Sequence, residues 1–225
     1  MELKLVVFDM AGTTVQATDQ VPAAFAAAFH RIDIDLAAAE ISAVRGRAKR
    51  EAIGMLLGRY RPGAVDPQLT EQIYTDFQRI LAERYQQGGV QSIPGAAETL
   101  QWLRAQGIKT ALSTGFDRSL VDLLLDLLGW QHMADAVVCN DDVPAGRPAP
   151  YLIFRAMEWT NTHSVHHVAA VGDTVADLEA ASNAGVGWSI GVLSGAHGAE
   201  QLRAYPYTAL LESVQALPAF VKERK

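Results

Sequence analysis

The chain has a single cysteine, Cys139, in 225 residues. An intrachain disulfide is therefore excluded, and a reducing compartment is the simpler expectation. No apolar run approaches the roughly 20 residues that a membrane-spanning helix needs. The opening "MELKL" carries an acid ahead of an apolar stretch too short for a signal peptide, so a cytoplasmic location is expected. Positive charge is in deficit, with 19 Lys and Arg against 25 Asp and Glu and a formal net charge of -6. That balance disfavours nucleic acid or an anionic membrane as a partner. No G-x-G-x-x-G follows the first apolar run, which argues against dinucleotide binding. His163, His166 and His167 lack a metal-ligand spacing. The histidines are expected in loops or at the surface, with His197 of "SGAHG" in a loop able to approach a site. There is no internal repeat and no low-complexity segment.

What is present is ample material for a buried core, at 49% hydrophobic and 20% charged residues. Five short apolar runs, at 3–8, 109–113, 136–139, 167–171 and 188–193, read as buried strands. Helical patterns at 96–105, 117–128, 151–159 and 174–183 alternate with them. This rhythm predicts an α/β fold, a Rossmann-like parallel sheet covered on both faces. Pro94-Gly95 before residue 96 and Gly107 after it mark one helix, and Gly185 marks the end of another.

The first two strands break the rhythm, because about 100 residues separate them. Within that gap Val21, Phe25, Ala28, Phe29 and Ile32 share one helical face, as do Ile73, Phe77, Ile80 and Leu81. Residues 16–91 are therefore expected to form an all-helical cap inserted after the first strand, and residues 1–15 and 92–225 the α/β core. The exit "QQGGVQSIPG" suits a hinge. Ligands of open α/β sheets lie beyond the carboxyl ends of the strands, so the insertion would cover the site.

Four features fall just after predicted strands: Asp9 in "VVFDMAGTTV", Ser113-Thr114-Gly115, Arg147 in "PAGRPAP", and Asp173 with Asp177 in "VGDTVADLEA". Singly, each is ordinary: a helix cap, a turn, a loop cation, a first-turn acid. Gathered at one sheet edge they suit phosphoryl-type chemistry. Asp9 and Asp173 offer hard oxygen ligands for Mg²⁺, and a metal beside Asp9 would let it attack an anionic phosphorus centre. Ser113 or Thr114 and backbone N–H groups can bind phosphoryl oxygens, and Arg147 adds a fixed positive fork.

At these motifs, "FDMAGTT", "LSTG", "GRPAP" and "GDTVADLEAASNAG", the chain resembles the haloacid dehalogenase-like hydrolase superfamily over essentially its whole length. The resemblance implies Asp9 as nucleophile, and Gly12, Thr13, Ser113, Thr114, Gly115 and Arg147 around the phosphoryl group. It implies Mg²⁺ held by Asp9, the Ala11 carbonyl, Asp173 and Asp177. Phosphatases of the superfamily usually carry an aspartate at the position of Ala11. The phosphonoacetaldehyde hydrolase (phosphonatase) branch has alanine there, and "DMAGTTV", "DDVPAGRPAP" and "VGDTVADLEA" resemble its motifs. In that branch a cap lysine forms an imine with the substrate aldehyde. Its spacing after a glycine is matched by Gly46-Arg47-Ala48-Lys49, so Lys49 is the implied imine former.

The residues around Lys49 depart from the branch. Arg45 and Ala52 replace its methionine and histidine, and Phe116 stands where its second motif has tyrosine. Arg45, one turn before Lys49 if this is helix, would favour the neutral amine. Arg45, Gly46 and Lys49 are then the cap's substrate contacts. Arg45 and Arg47 are alternatively a site for a carboxylate or second anion, or simply a solvated basic face. The expected function is hydrolysis of phosphonoacetaldehyde or a related small phosphonate, by a monomer or homodimer. The competing readings are a phosphomonoesterase acting on small phosphate esters without an imine, and a silent binding protein that kept the fold.

Overall fold

The computed structural model describes residues 2–16, 19–62 and 66–224. Residues 1, 17–18, 63–65 and 225 lie outside the described residues, within the spans expected for core and cap. In chain order the elements are β1 (Leu5–Asp9), α1 (Gln20–His30), α2 (Ala38–Ala43), α3 (Lys49–Tyr60), α4 (Pro67–Gly88) and α5 (Ala96–Ala105). Then follow β2 (Lys109–Ser113), α6 (Arg118–Leu128), β3 (Ala136–Val138), α7 (Tyr151–Trp159), β4 (Val168–Gly172) and α8 (Val175–Ala184). The chain closes with β5 (Trp188–Val192), α9 (Ala199–Arg203), β6 (Ala209–Leu211) and α10 (Leu217–Glu223).

The strands form one parallel sheet in the order β3-β2-β1-β4-β5-β6, the Rossmann-like α/β architecture. β1 is buried from end to end. Because side chains alternate along a strand, Val6 and Phe8 enter the core on one face while Leu5 and Val7 enter the other. The chain winds outward from β1 to β3 and then restarts at β4 on the other side of β1. Neighbouring connections diverge at that point, leaving a crevice at the carboxyl ends of β1 and β4. Asp9 ends β1, and Asp173 follows β4 directly.

Five strands were expected and six are present. The sixth, β6, is a three-residue edge strand of half-buried residues, too short to carry the apolar run of a central strand. The first strand also shifts, to Leu5–Asp9 from the expected 3–8.

Among the described residues, four helices lie between β1 and α5. Pro67 opens α4 where the missing N–H is harmless, and the Asp66 carboxylate accepts from the Gln68 N–H. The long helix packs on α1 through Phe25 and Phe77, whose ring centroids are 4.6 Å apart. The turn before α3 is wedged against three core loops. Gly46, at φ +79°, has space for no side chain, since a Cβ there would lie 2.2 Å from Thr174 Oγ1. A Cβ on Gly115 would meet the Arg47 carbonyl oxygen at 2.9 Å, and one on Gly146 would meet Ala48 Cβ at 2.8 Å. Farther out, the Gln78 side-chain amide of α4 donates to Asp117 Oδ2.

Truncating Phe77, which is fully buried, to alanine is expected to cost about 3–5 kcal/mol, read as a lowered urea midpoint. Gly146→Ala should displace the turn before α3 with little global destabilisation. Hydrogen exchange at residues 45–49 should quicken, and adding Ala48→Gly to the same chain should reverse it.

Candidate functional site

A cavity of 660 Å³ lies between the carboxyl edge of the sheet and the inserted helices, within the size range of ligand sites, about 300–1,000 Å³. Asp9, Ala11, Gly12, Thr114, Gly115, Arg147 and Asp173 line it from the sheet side, and Arg45, Gly46 and Lys49 from the insert. Three expected residues do not reach the cavity wall, and each has a local reason. Ser113 Oγ donates to the Phe8 carbonyl and accepts from Arg147. Of the Ser113/Thr114 alternatives, Thr114 is therefore the one that faces the cavity. Thr13 Oγ1 donates to Asp173 Oδ1 at 3.2 Å.

Asp177 is the third. Its Oδ2 accepts from the Thr174 N–H and hydroxyl, and its Oδ1 pairs with Arg147 Nε at 3.0 Å. Asp177 lies in the first turn of α8, reciprocating the Thr174 N-cap, and has both oxygens committed to protein donors. It acts on the site through Arg147.

Arg147 is almost wholly buried and serves several acceptors at once. It donates to Asp9 Oδ1 at 2.7 Å, to the Ser113 carbonyl at 3.0 Å and to Ser113 Oγ at 2.9 Å, besides Asp177. The bond to Oδ1 fixes the rotation of the Asp9 carboxylate. Burial raises the pKa of Asp9, opposed first by Arg147. Asp173 is raised by burial and then by the charges of Asp9 and Asp177, opposed by the Ala196 N–H and Thr13. The two acids thus repel each other at one wall, where a cation would relieve them. The Ala11 carbonyl, free of backbone partners among the described residues, adds a third hard oxygen. This donor set fits Mg²⁺. It contains only two cavity-facing carboxylates, and no cluster of three His, Cys, Asp or Glu suited to a metal occurs among the described residues.

From the opposite wall, Lys49 begins α3. Its ammonium donates to the Arg47 carbonyl at 3.2 Å and lies 5.0 Å from the Phe116 ring centroid. Burial pushes its pKa down to about 8; Asp9 opposes the shift, and Arg147 and Arg45 add to it. A primary amine made available near neutral pH now faces a buried carboxylate across one cavity.

The sequence did not single out the loop after β5 beyond His197. Ser194 Oγ donates to the Gly12 carbonyl at 2.9 Å, and the Ala196 N–H donates to Asp173 Oδ2 at 2.6 Å. His197 is buried, with Nδ1 accepting from the Val175 N–H at 3.0 Å and a further hydrogen bond to the Ser42 backbone of the insert. The available signal was the Ser-Gly turn directly after a predicted strand. His163 and His166 are exposed and His167 half-buried, all away from the cavity.

Replacing Arg147 with methionine would leave Asp9 and Asp177 without their buried counter-charge, an expected loss of about 3–5 kcal/mol near neutral pH. Protonation of Asp9 removes one of those charges, so the deficit should shrink as pH falls through its raised folded pKa. Urea melts of both chains in EDTA at pH 7.5 and 5 read this directly.

Residues 3–185 match the model of a family described as haloacid dehalogenase-like hydrolase. A phosphonoacetaldehyde hydrolase from Bacillus cereus is 31% identical over 212 residues, covering 87% of this chain and 77% of that protein. Among solved structures, a phosphonoacetaldehyde hydrolase-like protein from Oleispira antarctica superposes with TM-score 0.88 at 23% identity, covering 99% and 92% of the two chains. A predicted phosphoglycolate phosphatase from Haemophilus somnus 129pt gives TM-score 0.80 at 17% identity over 98% and 99%; at such identities these two speak for the fold alone. The family match runs through the inserted helices as well as β1 to β4, and the chain belongs to the haloacid dehalogenase-like hydrolases.

Proposed function

We propose that this hydrolase is a Mg²⁺-dependent phosphonatase that cleaves the P–C bond of phosphonoacetaldehyde or a closely related small phosphonate, with residues 16–91 acting as its cap. The observation that carries the reading is the placement of Lys49. It is a largely desolvated amine brought by the insert into the same cavity as Asp9, beside a position, Ala11, that has no acid to offer a leaving oxygen. The resemblance to phosphonoacetaldehyde hydrolase supports it.

In the proposed reaction the neutral Lys49 amine adds to the aldehyde, and with one proton taken up from solvent the adduct expels water to give a protonated imine. One Asp9 carboxylate oxygen then attacks phosphorus. The P–C bond breaks, and its electron pair flows into the imine to leave an enamine on Lys49. Water hydrolyses the aspartyl phosphate to phosphate. Protonation of the enamine carbon and hydrolysis of the resulting imine release acetaldehyde, for a net consumption of one water. Thr114, the Gly115 N–H and Arg147 hold phosphoryl oxygens, whereas the Gly12 N–H, expected to join them, is taken by the Val15 carbonyl at 2.7 Å. Mg²⁺, held by Asp9, the Ala11 carbonyl and Asp173, would neutralise charge between the carboxylate and the phosphonate. No oxygen needs a proton as P–C bond breakage begins, which is why alanine suffices at position 11.

Borohydride added during turnover of phosphonoacetaldehyde should leave a reduced adduct on Lys49, located by peptide mass spectrometry. Lys49→Arg should abolish the adduct and lower P–C cleavage on the order of 10³-fold. No adduct, together with undiminished release of phosphate from phosphate esters by the variant, would assign a phosphomonoesterase instead.

Because burial depresses the Lys49 pKa to about 8, the neutral fraction and the trapping rate should rise about tenfold per pH unit below that value and level off above it. EDTA should stop phosphate release, and Mg²⁺ should restore it.

A further inference from the structure

The cavity is much larger than the proposed substrate requires. A two-carbon phosphonate occupies roughly the space of four waters, at about 30 Å³ each, whereas the cavity holds 660 Å³. Besides Asp9, Lys49 and Arg147, its lining includes the apolar side chains of Val21, Phe25, Val44 and Ile93. Arg45 lines the same cavity from the turn that precedes Lys49. It is half-buried, and among the described residues its guanidinium has no hydrogen bond or ion pair.

The neighbouring arginines show how different that is. Arg47 is paired with Glu51 at 2.7 Å and does not line the cavity. Arg50 is paired with Glu71 at 2.8 Å and lies over the Tyr74 ring. Asp19, another carboxylate of the cavity lining, is exposed and forms no ion pair with Arg45. A half-buried cation without a counter-ion is an expensive arrangement, and a bound anion relieves it with a charge-assisted, forked hydrogen bond.

We infer that the substrate carries a second anionic group: a β-carbonyl phosphonate with a carboxylate on the side of the carbonyl away from phosphorus, read by Arg45. This rests on the proposed phosphonatase chemistry and extends it. The carbonyl would meet Lys49, the phosphonate Asp9 and its neighbours, and the carboxylate Arg45. The smallest member of the class is 3-phosphonopyruvate. With Lys49 as a ketimine, Asp9 takes the phosphoryl group and the P–C electron pair enters the imine. Hydrolysis of both adducts then yields pyruvate and phosphate with net uptake of one water.

Binding separates this inference from the chemistry. Isothermal titration with Mg²⁺ should show 3-phosphonopropionate binding about ten- to a hundredfold tighter than propylphosphonate, which has a methyl group in place of the carboxylate. Arg45→Met should close that gap to within about twofold, and Arg45→Lys should keep part of it. In turnover, the kcat/KM ratio of 3-phosphonopyruvate to phosphonoacetaldehyde should exceed about ten and fall in the methionine variant by a similar factor. Equal binding of the two analogues, or a gap untouched by Arg45→Met, overturns the inference whether or not any phosphonate is cleaved. Cleavage of phosphonoacetaldehyde with no advantage for the carboxylated substrate also overturns it, while leaving the phosphonatase reading intact. Loss of all P–C cleavage and of borohydride trapping at Lys49 would refute that reading, and with it the substrate assignment.

Discussion

The geometry of the site turns on one buried guanidinium. Arg147 joins the end of β1 through Asp9, the end of β2 through Ser113 and the first turn of α8 through Asp177. These elements meet where the sheet's connections diverge. A buried ion-pair cluster of this kind is seldom a net source of stability, because desolvating each charge offsets most of the attraction. What it supplies is position. With Oδ1 of Asp9 held by Arg147 and both oxygens of Asp177 held by Arg147 and the α8 cap, Asp9 and Asp173 are the carboxylates of this cluster left facing the cavity. Asp173 has no arginine of its own and relies on Thr13 and the Ala196 N–H. The negative charge that remains unbalanced therefore lies between Asp9 and Asp173, where a hard divalent cation fits.

A second constraint comes from the insert. The turn carrying Gly46, Arg47 and Ala48 touches loops that follow β2, β3 and β4, each through a position where one methyl group would collide. Close backbone approach excludes water from the seam and so desolvates Lys49, the principal cause of its lowered pKa. Packing and acid–base chemistry are linked here: a looser seam would hydrate the amine and return it toward its ordinary, protonated range.

Sequence periodicity showed most of this fold because it reports burial. The central strands carry unbroken apolar runs, since parallel strands are covered on both faces, and α1 and α4 show the apolar stripes by which they pack. β6 escaped notice because a short edge strand buries little. The site was legible where chemistry follows a strand end, as at Asp9, Thr114, Arg147 and Asp173. It was less legible where a side chain's role depends on what it meets across the fold. Asp177 and Thr13 look like ligands in the linear sequence, yet their oxygens are used within the protein. Ser194 and Ala196 act through a hydroxyl and a backbone N–H, which no residue pattern advertises. Arg45 and Arg47 are chemically alike and two positions apart, and only the fold shows that one has Glu51 and the other faces a cavity.

That contrast bears on the absent acid at position 11. In the proposed reaction the sheet edge would supply a nucleophile, phosphoryl donors and a cation site, and none of these depends on what leaves phosphorus. A leaving oxygen needs a proton as the bond breaks, so a phosphatase is served by an acid fixed to the core, two residues from the nucleophile. A leaving carbon needs an electron sink conjugated to it, and the sink must be built on the substrate's own carbonyl. The group that builds it has to reach the far side of the substrate from Asp9, which the sheet cannot do and the insert can. On the proposed reading, alanine at position 11 and Lys49 on the insert are two consequences of one requirement. Groups adjoining Lys49 on the insert would then touch the substrate beyond its carbonyl. A change such as methionine to arginine at position 45 can alter which molecule is accepted while the phosphoryl machinery stays as it is.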